Sequence, residues 1–222
     1  MYKTMNENLI DKIVHAENFS YSEYKRMVGK YLKIDWREII FQNRVVTPLL
    51  DKLFINEKDI SIIDISTQND RNNSSIHNTL LYRKRNASSP DLLVARHWNY
   101  ANLENDEIDY LAVVEVKSPI LKPIYNIDKY EDGINNQIKT HLEANDKVIL
   151  TDCIKWQFFE KDYGLDPIRT INLFDENNKW KRKDGKTPEF LIEEFQFEPT
   201  YENESEEWNQ LCGYLCEFIN GN

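Results

Sequence analysis

DYLAVVEVKSPI, residues 109–120, has the composition of a buried β-strand that ends in two charged residues. Side chains alternate between the faces of a strand, so one face carries Leu111, Val113, Glu115 and Lys117, and the other carries Tyr110, Ala112, Val114 and Val116. Because both faces are mostly apolar, we expect a central strand of a sheet. A buried charge without a partner is costly, so either Glu115 and Lys117 pair with each other or they lie where a cleft opens. Ser118-Pro119 ends the strand directly afterwards, which favours the cleft at least as strongly.

The preceding strand brings a second carboxylate to the same place. The segments DLLVARHW (91–98) and IDYLAVVEVK (108–117) are joined by a polar stretch, which predicts an antiparallel hairpin. Its register places Asp91 opposite or nearly opposite Glu115, with Cβ atoms about 4.5–5.5 Å apart. Two carboxylates at that separation repel each other unless a cation lies between them. Carboxylate oxygens with room for waters suit Mg²⁺ or Mn²⁺ better than zinc.

The remaining segments predict an α/β layer architecture without repeats. Helical patterns cover residues 6–32 in pieces, 36–54, 129–145, 188–195 and 204–219, and Pro48 either bends the second helix or lies in its first turn after a break. Strand patterns cover residues 60–66, 79–85, 91–98, 108–117, 147–153, 155–160 and 171–174. Since strands are framed by helices on both sides, we expect one compact domain from the 222 residues.

The charge balance excludes proteins that hold nucleic acid by bulk electrostatics, because the net charge is -10 and the pI is about 5.0. Contact with nucleic acid must then be local. Arg83, Lys84 and Arg85 are candidates for it, whereas the basic run 179–186 contains Asp184-Gly185 and is better explained as a solvated turn.

The cysteines and the N-terminal segment indicate the compartment. Cys153, Cys212 and Cys216 form no disulfide or zinc pattern, so we expect buried free thiols. No apolar stretch is long enough to cross a membrane, and the first 20 residues lack the layout of a signal peptide. We therefore expect a cytoplasmic protein without a membrane partner.

The acidic pair and the lysine resemble a known signature. Pro90-Asp91 followed by Glu115-Val116-Lys117 resembles the PD-(D/E)xK motif of the restriction-endonuclease-like nuclease superfamily. The stretch QIKTHLEANDKVILTDCIKWQFF, residues 137–159, is similar to the glutamine-bearing helix and aromatic-rich strand in the nuclease domains of type I restriction motor subunits and fused restriction-methylation enzymes. The resemblance implies a single nuclease domain over 1–222, with a three-layer α/β/α sandwich around a central mixed sheet. It covers about residues 36–160 and leaves about 161–222 as a C-terminal extension.

The resemblance also implies a role for each residue of the motif. Asp91 and Glu115 would hold Mg²⁺, with Mn²⁺ as a substitute and the backbone carbonyl of Val116 as a third ligand. Lys117 would orient or activate the attacking water and offset charge in the transition state. Gln137 would position the site or contact the scissile strand.

Accessory residues are less well defined by the resemblance. Glu38 and Gln42 lie on the preceding helix, and the family often has Glu at the position of Gln42, so Glu38 is the substitute candidate. His141 follows Gln137 by one turn and either contacts phosphate or is a surface histidine. We expect Gln137 and His141 to face the cleft while Ile138 and Leu142 face the core.

These expectations leave two classes of function open. The first is a Mg²⁺-dependent deoxyribonuclease, cutting as an endonuclease in a restriction, defence or mobile-element context. The alternative is a non-catalytic module of the same fold that binds nucleic acid or a partner protein. In either class the acidic composition predicts a helper subunit or a homo-oligomer, because a chain at -10 gains little affinity from phosphate contacts alone.

Overall fold

A single mixed sheet organises the computed structural model, which describes residues 20–66, 89–98, 108–122, 124, 132–173 and 206–221. Within these ranges the strands are β1 (Ile60–Asp64), β2 (Leu92–Arg96), β3 (Asp109–Val116), β4 (Lys147–Thr151), β5 (Lys155–Glu160) and β6 (Arg169–Asn172). They lie side by side in sequence order. β3 and β4 run parallel, and the other neighbours are antiparallel. The expected α/β class is confirmed, and β3 occupies a central position.

The register between β2 and β3 is the predicted one at the end that carries the acids. Leu92 pairs with Val114, so Asp91 is aligned with Glu115. Beyond Val94 the register shifts, and Leu111 is the additional residue of a β-bulge on β3. Leu111 and Val113 were predicted to share one face of β3, and this prediction is wrong. Because of the bulge, Leu111 packs on the opposite face of the sheet from Val113.

The helices are α1 (Tyr21–Ile34), α2 (Glu38–Phe41), α3 (Thr47–Leu53), α4 (Asp132–Ala144) and α5 (Glu206–Asn220). α1 begins with a capping box, in which the side chain of Ser20 accepts from Glu23 and the side chain of Glu23 accepts from the backbone of Ser20. A π-helical segment, Gln42–Val46, joins α2 to α3. Pro48 lies in the first turn of α3 and has no N–H for the carbonyl of Arg44, which explains the break in regular α-helix before it.

The sheet separates two hydrophobic clusters, one on each face. α4 covers one face, where Ile138 and Leu142 pack on Val113 and Leu150 as expected. α1, α2, α3 and α5 cover the other face. Successive side chains of the central strands belong to one cluster and then to the other, because they point to opposite faces of the sheet. Since helices cover both clusters, both faces of β3 are buried.

The core extends well beyond residues 36–160. β6 pairs with β5, and α5 inserts seven buried side chains into the cluster on the α1 face. Trp208 of α5 packs against Tyr21 and Tyr24 of α1, with ring centroids 5.5 and 4.9 Å apart. The C-terminal segment is thus part of the same hydrophobic core rather than an appendage.

The structure corrects one further strand boundary, and other predicted segments lie outside the residues that it describes. The strand predicted over 147–153 ends at Thr151, because Cys153 adopts a left-handed φ of 70° in the turn that follows. The segments predicted at 79–85 and 188–195, and the basic cluster Arg83, Lys84 and Arg85, lie outside the described residues.

None of the described helices is long and apolar enough to cross a membrane. All three cysteines are free and buried, as expected.

Candidate active site

Asp91 lies immediately before β2 and is fixed by its backbone and its side chain. Its carbonyl accepts hydrogen bonds from the Gln42 side chain (3.1 Å) and from the Ile65 N–H (3.2 Å). Its carboxylate atom Oδ2 accepts from the Val116 N–H at 2.7 Å. Within the described part of the chain, the other oxygen, Oδ1, has no hydrogen-bond donor. Asp91 is therefore held in place with one carboxylate oxygen left for a ligand.

The electrostatic environment of Asp91 is unusual. Burial and the nearby charge of Glu115 raise the pKa of Asp91 from 3.8 to about 7, against the opposing effects of the Val116 N–H and Lys117. The charge of Glu38 adds to the increase. An acid with such a perturbed pKa beside a second carboxylate is typical of a functional site.

Glu115 is the centre of a buried charged network, and only 5% of it is exposed. Its Oε1 accepts from Lys117 Nζ at 2.5 Å, and its Oε2 lies 3.1 Å from His141 Nε2. Burial by itself would raise the pKa of Glu115, but the hydrogen bond with His141 and the charges of Lys117 and His141 outweigh it and hold the pKa below its usual range. Glu115 is therefore ionised beside Asp91.

Lys117 is as deeply buried as the rest of the network, with 1% exposure. Its backbone N–H donates to the Thr151 carbonyl at 2.7 Å, which extends the pairing of β3 with β4 by one residue. Ser118 then ends the strand, and its Oγ accepts from the N–H groups of Ile120 and Leu121. Of the two arrangements expected for this strand end, the ion pair between Glu115 and Lys117 is present in the structure.

His141 and Gln137 occupy different environments although they lie one turn apart on α4. His141 is 1% exposed, so the alternative of a surface histidine is wrong. A carboxylate only accepts hydrogen bonds, which assigns the proton to Nε2 facing Glu115. Its Nδ1 is buried without a partner in the described residues. Gln137 is half-buried and makes no hydrogen bond to the acidic residues or to Lys117 there.

The helical segment before β1 contributes Glu38 and Gln42 in distinct ways. Gln42 is buried and holds the backbone of Asp91, so it positions the acid instead of offering its own oxygen. Glu38 is half-exposed and pairs with Lys122 at 3.5 Å. Glu38 also acts on the pKa of Asp91, which places its charge within electrostatic reach of the site.

Among the described residues, Asp91 offers an unengaged carboxylate oxygen to a cation, whereas both oxygens of Glu115 are engaged by Lys117 and His141. Two carboxylates converge there, and the described residues contain no cluster of three or more His, Cys, Asp or Glu arranged to hold a metal. Oxygen donors in this number suit Mg²⁺ or Mn²⁺ with waters completing the coordination, not zinc. In the part of the chain that the structure describes, Asp91 Oδ1 has no competing donor, and burial together with the charge of Glu115 raises the pKa of Asp91.

Sequence reasoning overlooked Asp152, a fully buried acid next to the network. Its Oδ2 accepts from the Ile124 N–H at 2.7 Å, and its Oδ1 accepts from the N–H groups of Ile154 (3.0 Å) and Lys155 (2.8 Å). Asp152 thereby ties the segment that follows β3 to the turn between β4 and β5. An Asp just after an apolar strand is a signal for this kind of turn.

Comparisons of the chain with protein-family models, with curated proteins and with solved structures give no match.

Proposed function

We propose that this chain is a Mg²⁺-dependent endonuclease that hydrolyses phosphodiester bonds in DNA, built on a restriction-endonuclease-like three-layer α/β/α fold. The observation that carries the proposal is the alignment of Asp91 with Glu115 at adjacent strand ends, with Lys117 against Glu115. These are the three residues of the PD-(D/E)xK motif, and their side chains converge although the chain separates them. A restriction, defence or mobile-element system is the proposed context.

Each side chain has a defined part in this proposal. Asp91, Glu115 and the carbonyl of Val116 hold the cation, which when bound supplies Lewis acidity at the scissile phosphate. Lys117 donates hydrogen bonds to the attacking water and to the developing negative charge on phosphate oxygens. For this the Lys117 ammonium shares its donors between Glu115 and the water, which its three N–H groups allow.

The supporting residues keep the reacting groups in register. Gln42 fixes the backbone of Asp91, and His141 fixes the side chain of Glu115 from the side opposite Lys117. Outer partners of this kind orient metal-binding carboxylates and are worth about 10–100-fold in affinity or activity. Gln137 lies one turn before His141 on α4 and is half-buried, and its part in the proposal is to contact the substrate or a bound water.

A non-catalytic module of the same fold is the second candidate, and one observation favours it. Both oxygens of Glu115 are engaged, one by Lys117 and one by His141, so the network is closed at this residue without any ligand. In that case the charges serve the fold, and the chain binds nucleic acid or a partner protein without cutting. A helper subunit or self-association belongs to both candidates, since the net charge of -10 opposes binding to DNA.

The deciding experiment incubates the purified chain with plasmid, linear and single-stranded DNA in Mg²⁺, Mn²⁺ or EDTA. We expect cleavage that requires the metal and falls more than about 100-fold in Asp91→Asn, because even outer-shell changes cost 10–100-fold. Asp109→Asn is the matched control, since Asp109 is an exposed acid at the opposite end of β3. Cleavage in EDTA, or full activity of Asp91→Asn, would contradict the proposal. DNA binding without cleavage by any of the proteins would establish the non-catalytic module.

A further inference from the structure

Three cationic side chains meet in a groove on the outer surface of the helical layer. The groove encloses about 240 Å³ between α1 and the π-helical segment, and its cations are Arg26, Lys30 and Arg44. All three are exposed, and none of them forms an ion pair within the described part of the chain. In a chain of net charge -10, three cations without acidic partners mark a local site for an anion.

The walls of the groove add an apolar component. Met27, Tyr31 and Pro48 line it beside the cations, and Lys30 Nζ lies 5.4 Å from the centre of the Tyr31 ring. Cationic groups next to an aromatic ring bind phosphate together with the apolar parts of a sugar or a base. A simple inorganic anion would leave these apolar walls unused.

The volume of the groove distinguishes between a free nucleotide and a polymer. Pockets that enclose a small-molecule ligand usually measure about 300–1,000 Å³. A groove of about 240 Å³ is smaller than that range, so it fits one phosphate-sugar unit of a longer strand rather than a whole nucleotide. Arg26 and Lys30 belong to α1, and Arg44 belongs to the π-helical segment. A nucleic-acid strand can therefore run between the two walls.

The groove and the acidic site lie on opposite sides of the same helical segment. Gln42 is buried and contacts Asp91, whereas Asn43 and Arg44, the next two residues, are exposed and line the groove. The helical segment therefore lies between the groove and the acidic site.

We infer that this groove, defined by Arg26, Lys30, Tyr31 and Arg44, binds the phosphate backbone of DNA outside the proposed active site, on the other side of the helical segment that holds Asp91. The inference rests on the proposed function and gives it a substrate contact in addition to the predicted one at Arg83, Lys84 and Arg85. A local cationic groove gives a strongly acidic protein a place at which it can contact DNA.

The test measures binding of a short fluorescein-labelled DNA duplex by fluorescence anisotropy in EDTA, where no cleavage occurs. Lys30→Ala/Arg44→Ala removes one cation from each wall, and Lys58→Ala/Lys161→Ala removes two exposed cations elsewhere. We expect the groove variant to bind about tenfold or more weakly, with a salt dependence lower by about two in slope, because about two phosphate contacts are lost. The control variant should bind like the wild type.

The outcomes separate the groove from the active site. Equal affinity of the two variants for the DNA duplex would overturn the inference. It would mean either that the total charge of the protein governs DNA binding or that the groove binds an acidic protein or a small anion instead. Cleavage by the wild type together with undiminished binding by the groove variant would overturn the groove and leave the nuclease intact. Loss of binding in the groove variant, with no cleavage by the wild type in Mg²⁺, would support the groove and reject the nuclease.

Discussion

Two acids at strand ends on either side of β3, the half-buried Asp91 before β2 and the buried Asp152 after β4, have opposite relations to the backbone around them. Asp152 accepts three backbone N–H groups through both of its oxygens. Asp91 accepts one, through Oδ2, and faces a second carboxylate. A carboxylate whose oxygens are saturated by N–H groups is stable as an anion, whereas one next to another acid is not.

The contrast shows how a structural acid can be distinguished from a candidate ligand. Backbone N–H groups hold the side chains of both acids in place. The distinction lies in the unused oxygen of Asp91 and in its pKa of about 7, which burial and Glu115 raise together. An acid that is held in place but poorly satisfied is what a cation site requires before the cation arrives.

The largest effect that the comparison predicts is on stability at Asp152. Asp152→Ala removes three hydrogen bonds to a charged group, which contribute at least about 1.5 kcal/mol each, and should therefore lower the free energy of unfolding by at least about 4.5 kcal/mol. Asp152→Asn keeps one acceptor oxygen and should lose less. Urea unfolding followed by circular dichroism measures both. If Asp152→Ala lowered the free energy of unfolding by less than about 1 kcal/mol, the hydrogen bonds of Asp152 would not stabilise the fold, and the contrast with Asp91 would be contradicted.

The next effect is a dependence of stability on pH at Asp91. Its folded-state pKa of about 7 lies above its value of 3.8 in the unfolded chain, so the folded state holds the proton more tightly. Stability from this group is full below about pH 4 and falls as the pH rises to about 7. Asp91→Asn should therefore be more stable than the wild type above pH 7, by about 2–4 kcal/mol, and nearly equal to it at low pH.

The measurement for Asp91 is urea unfolding across this pH range in EDTA, with Asp109→Asn as the control. Mn²⁺ should stabilise the wild type above pH 7 and leave Asp91→Asn unaffected, because the cation neutralises the repulsion with Glu115. Parallel pH profiles for wild type and Asp91→Asn, or equal stabilisation of both by Mn²⁺, would remove the basis for a metal site at Asp91.

The smallest effects concern α4, where His141 contacts Glu115 and Gln137 does not. His141→Ala should slow cleavage by about 10–100-fold, and His141→Gln should recover part of it by donating to the same oxygen. Gln137→Ala should cause a partial loss of less than about tenfold, the lower limit for such outer partners. Rates from single-turnover cleavage decide the order. A larger loss at Gln137 than at His141 would show that the opening of the site faces Gln137.

The parts of the fold that follow local patterns were predictable from sequence. The apolar run 109–116 on both faces indicated a central strand, and the hairpin register brought Asp91 to Glu115, as observed. Ile138 and Leu142 on the core side of α4 followed from helical spacing.

The remaining features depend on tertiary contacts that no local pattern encodes. The bulge at Leu111 changes the register within a continuous apolar run. His141 and Gln137 share a helical stripe, and the exact rotation of α4 decides that His141 alone reaches Glu115. The role of Asp152 depends on the Ile124 N–H, which only the folded chain brings near. The groove between α1 and the π-helical segment likewise joins residues from two helices.

The packing of α5 against α1 has a consequence for how this protein is made. Within the described residues, α5, which ends at Asn220, covers the apolar face of the sheet beneath Trp208 and Phe218. A nascent chain that has been synthesised only as far as residue 173 therefore exposes a large apolar surface, which promotes aggregation or chaperone binding. The core that supports the proposed active site is therefore completed only after α5 is synthesised, so a chain truncated near residue 173 should be insoluble.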